Sequence, residues 1–136
     1  MKSWHHEPHT ADIRSVISGD SYAELFESGA AALYDITKPA VINTTAHIKK
    51  TVSLKAESAE LLLVDFLSEL LYLLEAEKSA ATAYQWLSCS AQKLEVIITL
   101  VPVGHLEGVA IKAITYHDLH ITKKDTLLTT SLIFDI

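Results

Sequence analysis

One segment limits the choice of fold more than any other: "ESAELLLVDFLSELLYLLEAEK", Glu57–Lys78. Glu57 or Ser58 opens a helix near Ala59, and the helical spacing carries it to about Ala76. Leu61, Leu62, Leu63, Val64, Phe66, Leu67, Leu70, Leu71, Leu73 and Leu74 cover most of its circumference. A helix that apolar is buried on several sides, so other elements must wrap it. It is not a membrane span, because Asp65, Ser68 and Glu69 interrupt it and a span needs about 20 mostly apolar residues. Those three residues and Tyr72 fall on one narrow stripe by their i, i+3, i+4 and i+7 spacing.

The wrapping elements are legible around it. Ile13–Ser18 reads as a strand, broken by Gly19-Asp20. "SYAE" at Ser21–Glu24 is a capping box, in which Ser21 accepts from the Glu24 N–H and Glu24 reaches back to Ser21. The helix it opens runs to about Thr37, before Pro39, and its "GAAALY" turn is small enough to pack closely on a sheet. Strand patterns follow at about Ala46–Ala56, Ala83–Cys89 and Leu94–Val101, with a loop from Pro102 to Gly108. Ile111–Thr122 and Leu127–Asp135 then form a closing hairpin that turns around "KKDT". The expected architecture is α+β: a single domain over residues 1–136, with a mixed or antiparallel sheet, two main helices packed on one face and a C-terminal strand hairpin.

Composition removes several function classes. The 136-residue chain carries 17 acidic and 11 basic residues, for a net charge of -6, and Arg14 is its only arginine. A domain that grips a phosphate backbone presents a basic patch, so direct nucleic-acid binding in isolation is not expected. The pairs Lys49-Lys50 and Lys123-Lys124 read as solvated charge. Cys89 is alone, which rules out an intramolecular disulfide framework or a cysteine-built zinc cluster, and it reads as a small buried hydrophobe. The start "MKSWHHEPHT" has no apolar core of a signal peptide, so a cytoplasmic location is expected and no membrane association.

Chemistry-bearing residues gather at the two ends. "WHHEPHTAD" crowds His5, His6, Glu7, His9 and Asp12, but adjacent histidines point apart in an extended chain, a poor arrangement for a metal. The other end offers Asp135 and the carboxylate of Ile136. If the last strand runs beside the first, Asp135 meets Asp12, and three anionic oxygen groups would repel one another uncompensated. A hard divalent cation resolves that repulsion, since calcium and magnesium prefer oxygen ligands. Within "KAITYHDLH", read as one strand, Lys112 and Tyr116 face one side while Thr115 and His117 face the other. His117 has no identifiable nucleophile partner. No Gly-rich phosphate loop, Ser-His-Asp order or CxxC is present.

Four blocks, "HTADI" at His9–Ile13, "LLVDFLSELLYL" at Leu62–Leu73, "IKAITYHDL" at Ile111–Leu119 and "IFDI" at Ile133–Ile136, together resemble the archease family. The resemblance implies a protein cofactor of the RtcB-type RNA ligase in tRNA splicing, one that promotes guanylylation of the ligase by GTP and its multiple turnover without being an enzyme itself. It implies a calcium site formed by Asp12, Asp135 and Ile136. It also implies a polar surface that addresses the ligase, for which Asp65, Lys112, Tyr116 and His117 are candidates. The residues leave two other readings open: a metal-dependent hydrolase using the same carboxylates to activate water, and a stand-alone chaperone-like module with an exposed apolar patch.

Overall fold

The structure is a computed structural model whose described residues are 1–8, 12–42 and 47–136. Its strands, in chain order, are β1 (Ser3–Pro8), β2 (Asp12–Gly19), β3 (Pro39–Val41), β4 (Ile48–Lys55), β5 (Ser79–Cys89), β6 (Lys93–Leu106), β7 (Ala113–Thr115), β8 (Thr122–Lys124) and β9 (Leu127–Asp135). Helix α1 (Tyr22–Thr37) follows β2, and helix α2 (Ala59–Ala76) follows β4. The class is α+β, as expected. Every strand pairing is antiparallel, and the strands divide between two sheets.

The first sheet has the order β1-β2-β9-β7, with β8 also on β9. In the second, β6 is central, flanked by β3 and β4 on one edge and β5 on the other. Both helices touch strands of both sheets. This is the burial that the apolar circumference of α2 demands: Leu62, Leu63, Phe66, Leu67, Leu70, Leu73 and Leu74 are all almost inaccessible. The solvated stripe is where the spacing puts it, with Asp65, Ser68 and Tyr72 exposed. Ser58 is the N-cap and accepts from the Leu61 N–H at 3.2 Å. On α1, Ser21 accepts from the Glu24 N–H, while the Glu24 carboxylate takes the N–H of Asp20 rather than that of Ser21.

The small turn of α1 packs on a helix as well as on the sheets: Gly29 faces α2, while Tyr34 reaches the Ala81 N–H of β5. A Cβ on Gly29 would lie 3.2 Å from Leu67 Cδ1 and 3.4 Å from Leu63 Cδ1, so the missing side chain lets α2 approach. The C-terminus of α1 is closed by a distant segment. The N–H groups of Glu107, Gly108 and Val109 donate to the carbonyls of Lys38, Thr37 and Ile36 at 2.8, 2.9 and 3.1 Å. These are carbonyls a helix end leaves without intrahelical partners. A Cβ on Gly108 would come within 2.1 Å of the Ile36 carbonyl oxygen, so only glycine fits.

Three expectations change. β1 and β3 form short strands that the sequence pattern did not reveal. Pro102 does not end β6, which continues to Leu106. It occupies the gap between β4, whose pairing stops at Leu100, and β3, whose pairing starts at Val103, so no ladder there requires its missing N–H. The hairpin arm expected over Ile111–Thr122 is two short strands separated by a turn. Asp118 adopts φ 56, and the Leu119 N–H closes on the Tyr116 carbonyl at 3.3 Å. Aspartate tolerates the left-handed region better than most residues. The turn at "KKDT" is present, with Asp125 at φ 57. Ala46, the expected start of β4, lies outside the described residues.

Candidate functional site

Alternation along β2 and β9 builds the site. Ser15, Ile17, Leu132 and Phe134 are buried toward the helices. Asp12, Arg14, Ile133 and Asp135 therefore belong to the opposite face. The β2–β9 register makes Asp12 and Asp135 direct cross-strand partners, and Asp135 also faces Ala113 of β7. Facing residues of an antiparallel pair hold their Cβ atoms about 4.5–5.5 Å apart, and like charges there are unfavourable. Strands β2 and β9 thus bring two half-buried aspartates together.

Ile136 follows directly and packs against the core. Its side chain fixes the chain end beside the pair. Lys112 joins from the other side, its N–H donating to the Asp135 carbonyl at 2.7 Å. The donors available are oxygens, which fits a hard cation of the calcium or magnesium type. Among the described residues, no three His, Cys, Asp or Glu side chains converge, so a third ligand would be a main-chain oxygen such as that of Ile136.

The remaining candidates are spread out. Tyr116 is 49% exposed. His117 is exposed and pairs with Asp118 at 3.1 Å. Because β7 ends at Thr115, the strand alternation that placed Tyr116 beside Lys112 and His117 beside Thr115 does not extend to them. Asp65 is exposed on α2. One turn along the same stripe, Glu69 pairs with Lys50 of β4 at 3.7 Å, which sets the stripe beside the second sheet rather than the first.

Among the described residues, His5 and His6 do not join these carboxylates. His5 is exposed, and by the β1–β2 register it sits on the opposite face from His6. The His6 ring meets Ser15 Oγ through Nδ1 and Asp35 Oδ2 of α1 through Nε2, the latter at 2.9 Å. His9 lies outside the described residues. Cys89 is half-buried, and burial pushes its thiol up to about 11, away from reactive thiolate character.

Sequence reasoning passed over two neighbours of the carboxylate pair. Arg14 lies two residues along β2 from Asp12, and Thr115 lies two along β7 from Ala113, on the same face. The i, i+2 alternation from Asp12 was enough to find Arg14. Thr115 required the β7–β9 register.

The whole chain has relatives. Residues 4–136 match the Archease protein family. The chain is 35% identical to protein archease of Pyrococcus abyssi, covering 90% of both chains. It is 31% identical to protein archease of Methanosarcina mazei, covering 90% of this chain and 88% of that one. The crystal structure of an archease, possible chaperone, from Thermotoga maritima superimposes with a TM-score of 0.75 at 28% identity, covering 97% of this chain and 99% of that one. The solution structure of a Methanobacterium thermoautotrophicum protein shares the fold, with a TM-score of 0.70.

Proposed function

The chain belongs to the archease family, and from that membership we propose that it is an activator of an RtcB-type RNA ligase in tRNA splicing. It promotes GTP-dependent guanylylation and repeated turnover of the ligase, in the cytoplasm, and performs no catalysis of its own. The observation that carries this reading is the facing of Asp12 and Asp135, which unites the aspartates of the first and last family-like blocks in one register pair.

In this reading Asp12 and Asp135 hold a divalent cation, calcium by the family resemblance, with a main-chain oxygen of Ile136 as a third ligand; the all-oxygen donor set fits such a hard cation. When bound, the cation supplies positive charge that offsets the repulsion of the facing carboxylates. The chain's own residues do the positioning. The β2–β9 ladder fixes the distance between the carboxylates, the Lys112 N–H holds the Asp135 main chain, and the buried Phe134 anchors the strand end. Lys112, which flanks β7, and the exposed Tyr116 and His117 beyond it are the residues offered to the ligase, with Asp65 a separate contact beside the second sheet. An acidic activator is steered toward a basic, nucleotide-binding cleft, where opposite potentials favour encounter.

The test is to mix the protein with an RtcB-type ligase, GTP and manganese, and to measure ligase–guanylate formation. Acceleration by the unmodified protein, lost in Asp135→Ala and weakened by a short C-terminal extension, is the expected result. No acceleration overturns the activator reading. Hydrolysis by the isolated protein that disappears in Asp12→Ala would instead establish the hydrolase.

A further inference from the structure

A cleft of about 470 Å³ opens at the C-terminal end of α2, between the end of β6 and the segment leading into β7. Its depth is apolar: Leu74, Val103 and Ile111 line it, and all three are buried. Its charge is not that of the molecule. Lys78, Lys112 and His105 line it, against the single carboxylate of Glu75, although the chain as a whole carries a net charge of -6.

The walls are fixed by backbone bonds. Lys78 takes the left-handed conformation, φ 51, where the chain leaves α2, and its carbonyl accepts from the Val103 N–H at 2.7 Å. The Lys112 main chain is tied to Asp135 at 2.7 Å. Residues 107–109 are drawn away to close α1, which keeps the gap between β6 and Ile111 open. Neither lysine, nor His105, is spent in an ion pair among the described residues. Clefts of 300–1,000 Å³ with an apolar floor and a few placed charges are the usual form of small-molecule sites.

We propose that this cleft binds a small organic anion: an apolar body seated on Leu74, Val103 and Ile111, with a carboxylate, sulfonate or phosphate held by Lys78 and Lys112. The two ammonium groups provide the charge, and the His105 ring adds a polar wall. The cleft adjoins the carboxylate pair through Lys112, but it uses neither aspartate and does not depend on the ligase reading.

The probe is anilinonaphthalene sulfonate, compared with its uncharged parent phenylnaphthylamine, titrated by fluorescence into the full chain. Saturable binding at one site is expected, with the sulfonate favoured about tenfold or more, the size of a charge-assisted contact. Lys78→Gln and Lys112→Gln should each erode that preference while leaving the neutral dye unchanged. Ala110→Trp, which fills the cleft mouth, should weaken both dyes. Absence of saturable binding, equal affinity for the two dyes, or a sulfonate affinity unchanged in both lysine variants overturns the proposal. The neutral dye reports on the integrity of the cleft, so an unfolded variant is not mistaken for a lost charge contact.

Discussion

The inner face of the second sheet and the outer face of the first are built on opposite terms. Where the helices meet β5, Phe66 stacks on Phe26 with ring centroids 5.9 Å apart and lies 5.5 Å from Trp86. The polar edges of that cluster are matched: the Trp86 indole N–H donates to Glu27 at 2.7 Å, and the Tyr34 hydroxyl accepts from the Ala81 N–H at 2.9 Å. Across the molecule, Asp12 faces Asp135. One region gains stability from every neighbour, whereas the other sets like charges side by side on neighbouring strands. A pair of carboxylates that faces across neighbouring strands in a fixed register is where a bound cation has the most to contribute.

The sharpest way to break the comparison is Phe66→Ala. It should cost about 3–5 kcal/mol, as large buried aromatics do, measured by urea unfolding. Calcium affinity at the proposed site should be unchanged in the fraction that remains folded. A matching loss of calcium binding would mean that the two regions are not separable.

Tyr34→Phe tests whether polar matching matters in the aromatic region. It leaves the Ala81 N–H without its acceptor and should cost about 1–3 kcal/mol at neutral pH. Burial pushes the Tyr34 hydroxyl from its ordinary 10 up to about 12. A pKa raised in the fold means stability that is complete below pH 10 and lost as pH rises from 10 through 12. The variant should therefore lose less stability than the parent across that window, measured as the change in denaturation midpoint. An equal alkaline loss in both would place the titration elsewhere.

Asp12→Asn tests the other region. Without calcium it removes one of two facing like charges, and the change in stability should stay within about 1 kcal/mol, the scale of cross-strand pairs. If the proposed site holds calcium, the variant should also abolish any stabilisation by the ion, which follows from binding only the folded state. Thermal melts with and without calcium check both halves. Destabilisation in both conditions would show that Asp12 serves the fold.

The smallest effect is expected at Lys38, the left-handed cap of α1 at φ 47. Lys38→Gly relieves a conformation that favours glycine but loosens the unfolded chain, so the net change should stay within about 1 kcal/mol. A larger loss would reveal a role for the Lys38 Nζ bond to the Asp35 carbonyl, at 3.1 Å.

By itself the sequence determined the local features. The caps at Ser21 and Ser58, the extent of both helices, the exposed stripe through Asp65 and the turn at Asp125 all follow from periodicity and side-chain chemistry within a few residues. It also named the two aspartates, Asp135 at the end of the strand pattern Leu127–Asp135 and Asp12 immediately before the one at Ile13–Ser18. Only the tertiary structure decided that β2 and β9 are neighbours in a register that pairs Asp12 with Asp135, that Pro102 falls at a gap between two partners, and that "ITYHDLH" turns instead of running straight. It also decided that helix α2, with β6 and Ile111, leaves a basic cleft. Helix formation is written in contacts three and four residues apart, but strand neighbours, registers and clefts are set by pairing between residues that the chain keeps far from each other. A single sequence carries no local record of those choices.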